Sequence, residues 1–82
     1  MLENKLLYDV GDLCRQSRER KHFSQIRAAV VLEKNQSNIS RFEIGAIDSI
    51  STLAWYVAKC YTDKDLSDFR QICLEYINAK MC

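Results

Sequence analysis

Four cysteines, Cys14, Cys60, Cys73 and Cys82, and one histidine, His22, are the side chains of this 82-residue chain best suited to covalent or metal chemistry. A zinc site would pair such ligands at gaps of about two to four residues, and no two of these cysteines lie so close. A nucleophilic cysteine needs a base beside it, and a single histidine in an expected loop is thin support for one. Gly11 and Gly45 stand alone, which excludes a glycine-rich phosphate loop. No set of acid, base and nucleophile can be assembled, so the chain reads as a non-enzyme with no metal and no cofactor. Cys14, Cys60 and Cys73 read instead as small core residues, and Cys82 as a free C-terminal thiol. Nothing points to secretion, so no disulfide framework is expected.

Composition bounds the elements that must position the functional side chains. Hydrophobic residues make up 48% and charged residues 28%, with two glycines and no proline. A packed core is therefore expected and wholesale disorder is not. The scarcity of turn formers disfavours a β-sandwich and leaves an all-α domain. One domain spans residues 1–82, since a second core would need roughly 50 more residues. No apolar run approaches the roughly 18 residues of a membrane span. Residues 1–12 lack the basic-then-apolar pattern of a signal peptide, so a cytoplasmic protein is expected. The net charge of +1 hides an uneven distribution: residues 13–45 carry seven basic and three acidic side chains, while both flanks are net negative. An anionic partner would bind that middle segment.

Apolar periodicity and capping residues predict five helices. Leu6, Leu7, Val10, Leu13, Cys14 and Ser17 recur at helical spacing in a first helix from about Glu3 to Lys21. Gly11 inside it weakens the helix by about 1 kcal/mol relative to Ala, which calls for a packing reason. Ser24 caps a second helix through Leu32, whose Ala28 and Ala29 suit close helix packing. Asn35 caps a third helix to about Ile44, with Ile39 and Phe42 inward and Gly45 as its stop. Only Glu33, Lys34 and the cap separate these two helices, so they form a tight bihelical unit. Ser49 or Ser51 caps a fourth helix ending near Tyr61, with Leu53, Trp55 or Tyr56, Val57 and Cys60 on its apolar face. Thr62-Asp63-Lys64-Asp65 reads as a polar connector, and a fifth helix runs from about Leu66 to Lys80.

The sequence of the middle segment, Phe23 to Gly45, is FSQIRAAVVLEKNQSNISRFEIG. Ser24-Gln25 opens its first helix and Ala29 stands at the small position where two helices cross. Gln36-Ser37-Asn38 opens its second helix, followed by Ile39, Ser40-Arg41-Phe42-Glu43 and Gly45. This arrangement resembles, without a gap, the helix-turn-helix of the Cro and phage-repressor family, also called lambda-repressor-like. Val10-Gly11 through Arg18 resembles the family's first helix and Ser49 to Cys60 its fourth, so residues 10–61 form the matching core. The resemblance implies a compact five-helix domain whose helices 2 and 3 are the helix-turn-helix.

The same resemblance implies roles. The third helix would enter the major groove by its N-terminus, with Gln36, Ser37, Asn38 and Arg41 at base edges. Gln and Asn can pair bidentately with adenine and Arg with guanine. The second helix would lie across the backbone, its N-terminus with Ser24 and Gln25 at a phosphate, joined by Ser40, Arg27 and Lys34. Arg15, Arg20 and Lys21 are further phosphate candidates, and each of these cations reads equally as a solvated surface charge. Arg18 and Glu43 would form a partly buried ion pair with a structural role. The chain departs from the family where glycine is usual: Glu33 occupies the turn, at an expected positive φ, and His22 the loop before the second helix. Ser17 stands where leucine is common.

The last helix carries apolar residues over an arc of roughly 220°, wider than a one-sided stripe. Phe69, Cys73, Tyr76 and Ile77 are candidate dimerisation residues, with burial in the domain's own core as the alternative. A homodimer would set two recognition helices about 34 Å apart on a palindromic double-stranded DNA operator. The expected function is a small repressor of phage or mobile-element type. The alternative is a protein-interaction module of the same fold, an antitoxin, antirepressor or inhibitor, acting through its C-terminal helix.

Overall fold

The computed structural model describes residues 2–81. Five α-helices follow one another: α1 (Leu2–Arg20), α2 (Gln25–Leu32), α3 (Gln36–Glu43), α4 (Ile50–Lys59) and α5 (Asp63–Met81). There is no strand among the described residues. The expectation for Cys82 lies outside them.

Three of the helices end in the same way. After α1, α2 and α3 the chain turns through a left-handed residue: His22 at φ 60°, Glu33 at φ 56° and Gly45 at φ 79°. The amides that follow fold back onto the last turn, as in Phe23 N–H to Arg18 O, Lys34 N–H to Ala29 O and Ala46 N–H to Arg41 O. These bonds satisfy carbonyls that a helix end leaves orphaned. Only the third of these positions has to be glycine for want of space. A Cβ on Gly45 would lie 2.6 Å from the backbone of Tyr8. Gly11 has the packing reason its sequence position calls for: a Cβ there would lie 2.4 Å from the Phe42 carbonyl oxygen. Thus α1 and the C-terminal end of α3 meet backbone to backbone.

The N-terminal caps of α2, α3 and α4 are Ser24, Asn35 and Ser49, each accepting from the amide three residues on. Helix α5 starts earlier than the sequence suggests. Thr62-Asp63-Lys64-Asp65 is its cap and first turn, not a connector. The Thr62 N–H donates to Asp65 Oδ2 at 3.0 Å, and the Asp65 N–H donates to Thr62 Oγ1 at 3.3 Å. This reciprocal capping box satisfies two orphan donors, and Asp63 and Asp65 complement the helix dipole.

Cys14, Ala28, Ala29, Ile39, Phe42, Trp55, Tyr56 and Cys60 form the core, with Val10, Phe23, Leu32, Leu53 and Tyr61 against it. Trp55 and Tyr56 are both buried, and Tyr56 stacks on Phe42 while Trp55 meets Phe23. Cys14 is wholly buried; desolvation pushes its thiol up to about 12, so it stays protonated and inert. Cys73 is not a core residue but half-exposed on α5.

Helix α5 lies antiparallel to α1. Its N-terminal end is latched by Asp65, fully buried, to Arg20 near the end of α1. Ser17, also fully buried, sits at this latch, where leucine would bring no hydrogen bond. Further along, Ile72, Tyr76 and Ala79 face Lys5, Leu6 and Asp9 across a groove of about 120 Å³.

Candidate nucleic-acid interface

Helices α2 and α3 are joined by Glu33, Lys34 and Asn35 alone. Ala28 and Ala29 of α2 and Ile39 and Phe42 of α3 are buried, so small side chains let the two helices approach closely. The left-handed Glu33 turns the chain between them. Asn35 then opens α3: its Oδ1 accepts from the Asn38 N–H at 3.0 Å and from Ser37 Oγ at 2.7 Å. With Ile39, Phe42 and Glu43 inward, Gln36, Ser37 and Arg41 are left exposed on α3, with Asn38 and Ser40 half-buried.

The inner side of this surface is tied to the core through one carboxylate. Glu43 is 2% exposed and Arg18 6% exposed. Arg18 donates to both Glu43 oxygens, from Nε at 2.6 Å and Nη2 at 3.0 Å, and from Nη1 to the Phe23 carbonyl at 2.7 Å. The Tyr56 hydroxyl donates to Glu43 Oε2, and Gln25 Nε2 donates to Oε1 at 2.9 Å. Four donors from α1, α2 and α4 thus converge on one group of α3. Burial opposes the Arg18 charge, but the bonds to Glu43 outweigh it and hold the guanidinium above its ordinary pKa. Burial, and then the bond to Glu43, raise the Tyr56 hydroxyl's pKa, so it remains a donor.

The structure therefore brings Arg18 and Glu43 together as a bidentate pair. It also gives Gln25 a second task beside the expected phosphate contact. With its Nε2 on Glu43, Gln25 turns its Oε1 outward and accepts from Gln36 Nε2 at 3.4 Å. The first residue of α3 is so linked to the first residue of α2. Ser24 uses its hydroxyl to cap α2, where it accepts from the Arg27 N–H at 3.0 Å. Arg27 lies over the Phe23 ring, 4.5 Å from its centroid. Lys34 borders a hollow of about 250 Å³ with Asn38, Ile47, Ser49 and Thr52.

Two sequence candidates for phosphate contact are already engaged. Arg15 pairs with Asp12 and Glu19, and Arg20 with Asp65. Lys21, Arg27, Lys34 and Arg41 have no carboxylate partner among the described residues. Three of these four lie between Ser24 and Gly45, on the α2–α3 unit.

The candidate dimerisation residues do not share one surface. Phe69, Cys73 and Ile77 line a shallow apolar hollow with Arg70 and Leu74, whereas Tyr76 turns into the groove against α1. Leu74, Ile77 and Met81 are exposed. Sequence reasoning missed Tyr56 as a partner of Glu43 and Asp65 as the latch of α5. Thr62 and Asp65, at capping-box spacing, could have revealed the second; no local pattern announces the first.

No known family model, no curated protein and no solved structure matches this chain. No helix among the described residues is long and apolar enough to cross a membrane, and no group of three or more metal-ligating side chains comes together among them.

Proposed function

We propose that this protein is a sequence-reading DNA-binding regulator of helix-turn-helix type, with α3 as the helix that enters the major groove. The observation that carries this reading is the exposed polar side of α3, Gln36, Ser37 and Arg41, held in place by the bonds that converge on Glu43 beneath it. Reading base edges requires donors and acceptors projected from a rigid support, and this unit combines the two. The unpaired Arg27, Lys34 and Arg41 supply attraction to phosphates. A homodimer on a palindromic operator, and repression by occlusion of the polymerase, complete the proposal.

The test is a fluorescence titration at low and moderate salt on DNA from upstream of the protein's own gene, with Arg41→Ala as control. The expected result is binding that survives nonspecific competitor and collapses in the control. Affinity no tighter than about 10 μM, as in nonspecific association, and indifferent to Arg41, would refute it. A protein-interaction module is the second reading, favoured by exposed Leu74, Ile77 and Met81 on α5 and by Ile26 and Val30 on the outer side of α2. That reading expects Ile77→Asp, and not Arg41→Ala, to abolish activity.

A further inference from the structure

Arg41 is not loose on α3. Its Nε donates to the Ser37 carbonyl at 3.3 Å and its Nη2 to Asn38 Oδ1 at 2.7 Å. A guanidinium has five N–H donors in a fixed fork. Two are spent within the helix here, and the pair on the Nη1–Nη2 edge stays open. Two parallel donors match two adjacent acceptors. Among the bases, only guanine presents two acceptors side by side in the major groove, N7 and O6.

Asn38 is the other half of the arrangement. Bidentate reading of adenine by an asparagine needs its amide oxygen for the adenine N6 amino group and its amide nitrogen for N7. The guanidinium has donors only, so the amide group must turn its oxygen toward Arg41. The Asn38 backbone N–H is meanwhile committed to the Asn35 cap.

Resting on the DNA-reading proposal above, we infer that Arg41 reads a guanine in each half-site and that Asn38 is its positioning residue, not a reader of adenine. Asn38 fixes the fork against rotation, so the open edge faces one base pair in one orientation. Arg41 discriminates guanine from the other bases at that position on the order of ten- to a hundredfold.

The experiment is selection of binding sites from a random-sequence duplex pool by the full chain. Wild type, Arg41→Ala, Asn38→Ala and Asn38→Asp are compared, each checked for helicity. Wild type is expected to enrich a site with guanine at one position per half-site. Arg41→Ala randomises that position. Asn38→Ala weakens the preference there about tenfold and leaves the other positions unchanged. Asn38→Asp keeps an acceptor for Arg41 and so restores the preference, although its charge lowers affinity for every sequence. A wild-type site carrying 7-deazaguanine at that position, which lacks the N7 acceptor, binds on the order of tenfold more weakly. Arg41→Ala is indifferent to the change.

Three results would overturn the inference and are distinguishable. If Asn38→Ala randomises a different, adenine-bearing position, Asn38 reads directly. If Arg41→Ala weakens all sequences alike and lowers the salt dependence, Arg41 binds phosphate. If wild type enriches no sequence at all, the DNA-reading proposal fails, and this inference with it.

Discussion

Glu43 holds together parts of the molecule that are remote in sequence. Its two oxygens receive Arg18 from α1, Gln25 from α2 and Tyr56 from α4. Replacing Arg18 by Met strands a buried carboxylate and is expected to destabilise the domain by about 3–5 kcal/mol. Adding Glu43→Gln recovers much of that loss, because no uncompensated charge remains. Urea denaturation of the two variants checks both statements, and equal stability of Arg18→Met and wild type would refute them. Glu33 makes the opposite case at the same scale. A non-glycine held at φ 56° is strained, so Glu33→Gly is expected to stabilise by about 1 kcal/mol. In a domain of this size that raises Tm by about 4–8 °C, which a thermal melt would show.

The elements differ in how they are fixed. Helix α3 is held from beneath by Glu43 and end-on by Gly45, whereas α5 lies along α1 and has its one buried polar anchor at its N-terminal end. Asp65 is the sole wholly buried residue of α5 among those described. Burial works to raise its pKa, but Arg20 and the Thr62 amide outweigh it and hold the carboxylate below its ordinary value of 3.8. The folded state therefore binds this proton less readily than the unfolded chain. The stability it contributes is complete above about pH 5 and is lost as pH falls through the lower folded value. Asp65→Asn should accordingly lower stability at pH 6 and flatten its decline toward pH 2. Denaturation of the two proteins across that range would show parallel curves if the latch contributed nothing. The early start of α5 was legible in Thr62 and Asp65, which stand at capping-box spacing. Their net polarity hides it, because polar runs are as common in connectors as in first turns.

For the molecule as a whole, charge and shape divide the surface. Pairing within α1, and from α1 to α3 and α5, neutralises Arg15, Arg18 and Arg20, whereas Lys21, Arg27, Lys34 and Arg41 have no carboxylate partner among the described residues. If Arg27 and Lys34 each touch a phosphate, changing either to alanine reduces the slope of log K against log salt by about 1. An unchanged slope would remove that residue from the interface. The exposed Leu74, Ile77 and Met81 lie on the far-reaching part of α5. If α5 carries the proposed dimer on a DNA operator, Ile77→Asp leaves a folded monomer with weakened operator binding, as sedimentation and titration together would show. A monomeric wild type would refute the dimer.

Five helices, the caps at Ser24 and Asn35, the stop at Gly45 and the inward set Ala28, Ala29, Ile39 and Phe42 were legible in the sequence, where the cap of α4 stays open between Ser49 and Ser51 and the first turn of α5 reads as a connector. The legible features follow from periodicity and from backbone geometry that each residue imposes on its neighbours. The sequence also signalled the pairing of Arg18 with Glu43, through a resemblance and not through local physics. Packing of the helices was needed to reveal that Tyr56 completes that site, that Arg15 and Arg20 are already paired, that Tyr76 turns toward α1 and that Cys73 lies outside the core. Each of these depends on which helix faces which across the fold, and helical periodicity gives a residue's face but not the neighbour that face will meet.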